Sequence, residues 1–152
     1  MKIVFLQNTV DAQGGIVTVN RTLAGAFLAA GAEVHFLSLR HAPVRSQVCY
    51  PAAAHTELIN DRAEWDCPRY AEAAALLRAK RPAAALRHIC RRLRYDRALR
   101  RDYRACRTHL LEIDPDVIIN SHYELLDCIP PRLLPRTINH FHTSFSQVLA
   151  LK

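Results

Sequence analysis

Apolar positions along the chain change period several times, and each change marks an element. Ile3-Val4-Phe5-Leu6 is a continuous apolar run, the pattern of a strand covered on both faces, so residues 2–7 are read as a buried strand. A polar loop, Asn8 to Gln13, leads to Gly14-Gly15. Ile16, Val19, Leu23, Phe27 and Ala30 then recur at spacings of three or four, the stripe of an amphipathic helix, and Gly31 stops it. Val34 to Leu39 is the next strand. Strand, glycine turn, helix and strand make a βαβ unit whose right-handed crossover requires a parallel sheet. The predicted fold class is α/β, with an open parallel sheet.

The middle of the chain carries weaker periods. Ser46 to Tyr50 reads as a short third strand, and Pro51, Pro68 and Pro82 punctuate the stretch after it. Arg69 to Lys80 is helical in pattern, and Pro82 suits the first turn of a longer helix reaching about Glu112. Leu86, Ile89, Leu93, Tyr103, Cys106, Leu110 and Ile113 give that helix an apolar face interrupted near Asp96, while Arg87, Arg91, Arg94, Arg101 and Arg104 lie off it. Asp114-Pro115 breaks the helix before the buried strand Asp116 to Asn120. Tyr123 to Cys128 is a short helix, Pro130-Pro131 a stop and Thr137 to Phe141 a last strand. Ser144 opens a helix only just under way at Lys152, the pattern of the front part of something longer or of half of a two-chain assembly.

Length and composition then bound the class. At 152 residues, 50% hydrophobic and 23% charged, the chain matches one ordinary domain and excludes intrinsic disorder. No run approaches the roughly 18–20 apolar residues of a membrane span, and the Met-Lys start enters the first strand with no cleavage site, which predicts a cytoplasmic protein. Five cysteines, at 49, 67, 90, 106 and 128, include no Cys-x-x-Cys pair, so they are read as reduced and mostly buried.

Charge changes the picture more. The net charge is +7, yet residues 78 to 107 hold 12 Lys+Arg against Asp96 and Asp102, leaving the rest of the chain slightly acidic. Arg87, Arg91, Arg94 and Arg101 therefore form either a solvated helix face or a surface for an anionic membrane. Interleaved aromatics are limited to Tyr95 and Tyr103, which argues against stacking on nucleic acid.

Two further places could carry chemistry. Ligands of open α/β sheets bind beyond the carboxyl ends of strands, where a glycine turn entering a helix lets backbone N–H groups face an anion. Gly14-Gly15 fits that role or simply turns the chain. Ile16 and Val17 come next, so neither the dinucleotide fingerprint nor the Walker pattern is present. His122, His140 and His142 fall at or just past predicted carboxyl ends of strands. With no acid or cysteine at a matching offset, they are read as hydrogen-bonded or substrate-orienting histidines rather than metal ligands. Glu124 joins His122 there or serves as a helix N-terminal acid.

With these residues in order, the chain resembles the N-terminal, acceptor-side domain of GT-B fold, family 4 retaining glycosyltransferases. The likeness rests on Lys2 to Leu6, Gly14-Gly15, Leu28 to Val34, Asp114 to Ile119, Ser121-His122-Tyr123-Glu124 and His140-Phe141-His142-Thr143-Ser144. The resemblance implies a Rossmann-like domain over residues 1–152, carrying a basic helical segment at about 69–113, with the C-terminal donor-binding domain absent. It implies that Gly14 and Gly15 face the donor diphosphate and the reaction centre. His142 would be the catalytic cleft histidine, and His122 and Glu124 would bind acceptor. No metal and no cofactor are implied beyond a nucleotide sugar as co-substrate, and the acceptor would be a sugar or a cell-envelope, lipid-linked or small-molecule acceptor. One wall of a cleft does not make an enzyme, so the expectation is a glycosyltransferase domain inactive alone, cytoplasmic and peripheral on the membrane. The alternative is a non-catalytic acceptor-binding or membrane-recruiting subunit paired with a separate donor-binding chain.

Overall fold

The computed structural model describes residues 1–10, 15–41, 49–61 and 69–140. Five strands run parallel: β1 (Lys2–Thr9), β2 (Glu33–Arg40), β3 (His55–Leu58), β4 (Val117–Asn120) and β5 (Thr137–Asn139). Their order across the sheet is β3-β2-β1-β4-β5. The chain builds outward from β1 in one direction, returns to β1 and builds outward in the other. The reversal between β1 and β4 is where an open α/β sheet leaves a crevice at its carboxyl edge.

Strand alternation sorts the apolar side chains to two faces. Val4, Leu6, Leu37, Leu39 and Ile118 meet Cys106 and Leu110 of helix α3 (Pro82–Ile113), together with Leu125, Cys128 and Leu133. Ile3, Phe5, Val34, Phe36 and Ile119 meet Ala24, Leu23 and Phe27 of helix α1 (Gly15–Ala29). Gly31 closes α1 at φ 79°, a conformation costly for any residue with a Cβ. Asp114 closes α3 in the same left-handed region, φ 45°, before Pro115. The sheet is thus covered by helices on both faces, a Rossmann-like arrangement.

Several elements differ from the sequence reading. The third strand is His55–Leu58; Ser46 to Val48 lie outside the described residues, and Cys49 and Tyr50 belong to no strand. His-Thr-Glu-Leu at the sheet edge has no apolar run to reveal it, because its side chains are exposed or half-buried. Tyr123–Cys128 is a 3-10 turn, and a second one, Pro131–Arg136, replaces the expected stop. Phe141 and the helix opening at Ser144 lie outside the described residues.

Helix α3 has the largest surprise. At 32 residues it is about 48 Å long, and it runs antiparallel to the strands it serves. Asp102 is buried and accepts from Asn60, just past the end of β3, at 3.1 and 3.2 Å. The roughly 30 Å before Asp102 therefore reach past the carboxyl edge, packing on helix α2 (Tyr70–Arg78). That is why Leu86 and Leu93, expected on the buried face, are 63% and 46% exposed.

Of the four described cysteines, Cys106 and Cys128 are buried and Cys49 and Cys90 exposed, so "mostly buried" holds for only half of them. The Cys106 thiol is pushed well above its ordinary pKa, first by its contact with Cys128 and then by burial. Such thiols stay protonated and behave as small apolar groups.

Candidate functional site

Polar side chains are buried at the carboxyl edge, where β1, β2 and β4 end: Gln7, Asn20, Ser38, Arg40, Asn120 and Ser121. Asn20, in the second turn of α1, donates from Nδ2 to Ser121 Oγ at 2.8 Å, and the Ser121 N–H donates to the Leu6 carbonyl. This bond stitches the helix after β1 to the loop after β4, across the switch point. Gln7 Nε2 donates to Ser38 Oγ at 2.9 Å and to the Tyr50 hydroxyl at 2.6 Å, while Tyr50 donates to the Val10 carbonyl.

What the network leaves undone matters most. Gln7 Oε1, Asn20 Oδ1, Arg40 Nε and His122 Nδ1 are buried with no hydrogen-bond partner among the described residues. Buried polar groups are nearly always satisfied, by protein, water or ligand, so these atoms form a polar patch able to take up such partners at the carboxyl edge. Arg40 is the sharpest case. It is only 7% exposed, and among the described residues no carboxylate lies within 4.0 Å of its guanidinium. An arginine cannot shed its proton to relieve burial, so it calls for an anion.

The rim is set by the segment after β4. His122 stacks on Tyr123 at 5.1 Å, and Glu124 Oε2 lies 4.0 Å from His122 Nδ1. Glu124 is exposed and accepts from the Tyr123 hydroxyl at 3.2 Å. Tyr103 of α3 faces the same edge: burial first, then the carboxylates of Glu124 and Asp127, push its hydroxyl far above its ordinary pKa, against the opposing pull of Arg40. On the outer side of α1, Thr18, Arg21, Thr22, Cys49, Tyr50 and Pro51 line an open depression of about 410 Å³, a small-molecule size.

Gly15 is the first residue of α1, and a Cβ there would meet nothing within 4 Å. Its amide lies at the positive end of the helix dipole, at the crevice. Gly14 and His142 lie outside the described residues. His122 and Glu124 come together, and His140 comes directly after β5 with its N–H donating to the Asn120 carbonyl at 2.8 Å. Arg87, Arg91, Arg94 and Arg101 are all exposed along α3 and do not converge on the buried cluster. The sequence reading missed Arg40, Asn20 and Gln7. The available signal was an arginine ending an apolar strand, at the end of the sheet where ligands bind.

No protein-family model, curated protein or solved structure matches this chain, so the geometry stands by itself.

Proposed function

We propose that the chain is the acceptor-side wall of a glycosyltransferase of the GT-B type, working against a donor-binding wall supplied by a second domain or a partner chain. The observation that carries this reading is the unsatisfied polar cluster at the β1–β4 switch point, with Arg40 buried beside it and unpaired among the described residues. Glycosyl transfer leaves negative charge on a departing diphosphate, which calls for N–H donors fixed in advance and shielded from water. In this reading Gly14 and Gly15 present amides to that diphosphate, and Arg40 holds a phosphate of donor or acceptor. His142 contacts the reacting sugar, while His122 and Glu124 take acceptor hydroxyls. The test is calorimetric titration of the chain with nucleotide sugars and sugar phosphates, together with a transfer assay. Binding of phosphorylated sugars without turnover is expected. Purine-nucleotide affinity indifferent to any sugar would overturn the reading in favour of a nucleotide-binding domain.

The rival reading, a non-catalytic acceptor-binding or membrane-recruiting subunit, draws on the projecting arm of α3. Leu77, Leu86, Leu93 and Tyr70 are exposed on the hairpin of α2 and α3, with Arg87, Arg91, Arg94 and Arg101 alongside. Apolar side chains flanked by arginines suit the interface of an anionic bilayer. The arm rises on the same side of the sheet as the crevice, which would hold the crevice close to a lipid-linked acceptor. No described helix is long and apolar enough to cross a membrane. In flotation with vesicles containing phosphatidylserine, the wild type is expected to float and Arg91→Glu/Arg94→Glu to remain at the bottom. Equal flotation would remove the membrane role and leave the cleft reading intact.

A further inference from the structure

At the opposite end of the sheet, where β2 and β3 begin, Glu33, His35 and His55 place one ligand atom each within 4.8 Å of one another. We propose that these three side chains bind a single zinc ion that clips the edge strand β3 to β2. The inference is independent of the glycosyltransferase reading, since none of these residues touches the crevice.

Strand geometry assembles the trio. Glu33 and His35 lie two apart on β2 and so share a face, and His55 is the parallel-register partner of His35. His35 Nε2 is 2.7 Å from Glu33 Oε1, and the His35 and His55 rings stack at 4.7 Å with 24° between their planes, so the exposed His55 ring must turn out of the stack to aim an in-plane lone pair at an ion. Two imidazoles and a carboxylate with an open side are a ligand set that zinc accepts, a water taking the fourth position.

A second, separate observation supports a metal. His35 is buried, and its Nδ1 has no hydrogen-bond partner among the described residues, with Glu57 Oε1 3.8 Å away. Glu57 is held from its other side, with Oε2 3.2 Å from His109 Nδ1 on α3. Metal-binding histidines characteristically turn their far nitrogen to a carboxylate, which fixes the ring and raises its basicity. Glu57 stands on the Nδ1 side of His35, where a shortening of about 1 Å would give that arrangement, and an ion would take the place of the proton now shared by His35 Nε2 and Glu33 Oε1.

One neighbour competes. Lys2 Nζ lies 3.9 Å from Glu33 Oε1 while donating to the Ile113 carbonyl at 3.0 Å. Lys2 and His35 both meet the Glu33 carboxylate at Oε1, and Glu33 is exposed, so its second oxygen is available to an ion without breaking the Lys2 contact.

The physical consequence is local. β3 is a four-residue strand on the sheet edge, with few apolar contacts to hold it. A tie to β2 through metal supplies what packing does not, and binding to the folded state alone raises stability by mass action. The experiment is zinc titration of chelator-treated protein by calorimetry and thermal melting, with cobalt as a spectroscopic probe. One zinc per chain, a raised melting temperature and a cobalt spectrum without thiolate charge transfer are expected. His55→Ala and Glu33→Gln, both exposed positions that leave the fold in place, should each weaken binding at least tenfold. His88→Ala, beside Glu72 and the Arg69 carbonyl, should not. No saturable binding, a thiolate band, or unchanged affinity in either site variant would overturn the proposal.

Discussion

Phe36→Ala is expected to lower the unfolding free energy by about 3–5 kcal/mol, seen as a large fall in the urea midpoint. Phe36 is fully buried in the centre of β2, stacked on Phe5 at 5.0 Å and tilted against Tyr50 at 4.4 Å. Removing the ring costs its transfer free energy and leaves a cavity that two aromatic neighbours cannot collapse to fill. The damage should also reach the crevice. Tyr50 accepts from Gln7 and donates to the Val10 carbonyl, so a loosened Tyr50 frees the end of β1 and Val10 after it. Phe36→Leu keeps most of the volume and should cost under about 1.5 kcal/mol. If Phe36→Ala lost less than about 1 kcal/mol, the helix-covered face of the sheet would be wrongly assigned.

Arg40→Met should separate binding from stability. Charge-assisted hydrogen bonds contribute about 1.5–3 kcal/mol, so affinity for sugar phosphates should fall at least tenfold. Stability should stay level or rise, since a buried cation with no acid in reach among the described residues is a cost to the fold that a well-packed Met removes. Calorimetry and urea unfolding on the same preparation give both numbers. Unchanged affinity would exclude Arg40 from the site. A loss of stability above about 2 kcal/mol would show that the guanidinium has a structural role in the native state.

The parts of the fold that were legible beforehand are those whose pattern is local. β1 announced itself by the unbroken run Ile3 to Leu6, and β2 by Val34, Phe36, Leu37 and Leu39 on both faces, because a strand buried on both faces has no wholly polar side to show. Helix α1 was visible from its three-four spacing and ended at Gly31, where the positive φ needs glycine. β3 was invisible for the converse reason: an edge strand is partly solvated, and His-Thr-Glu-Leu satisfies water as readily as a neighbour. Leu86 and Leu93 have the period of a buried stripe, and no local rule says that their half of α3 outreaches the sheet.

The site divides in the same way. His122 and Glu124 could be placed at the carboxyl edge from the strand before them. Arg40, Asn20 and Gln7 could not be joined to them, because their meeting depends on β1 lying between β2 and β4. The Glu33–His35–His55 cluster is more extreme still, since His55 reaches His35 only through the pairing of β3.

Periodicity and composition along single stretches of sequence were enough for the α/β class, the parallel sheet and the concentration of positive charge in one helix. Folding in three dimensions was needed to settle which polar groups are buried without partners and which end of the sheet they face. It also settled that the arginine helix extends as an arm instead of lying flat. Burial and pairing are relations between distant residues, and it is desolvation that sets Arg40, buried with no carboxylate near it among the described residues, apart from the rest of the 21 basic residues.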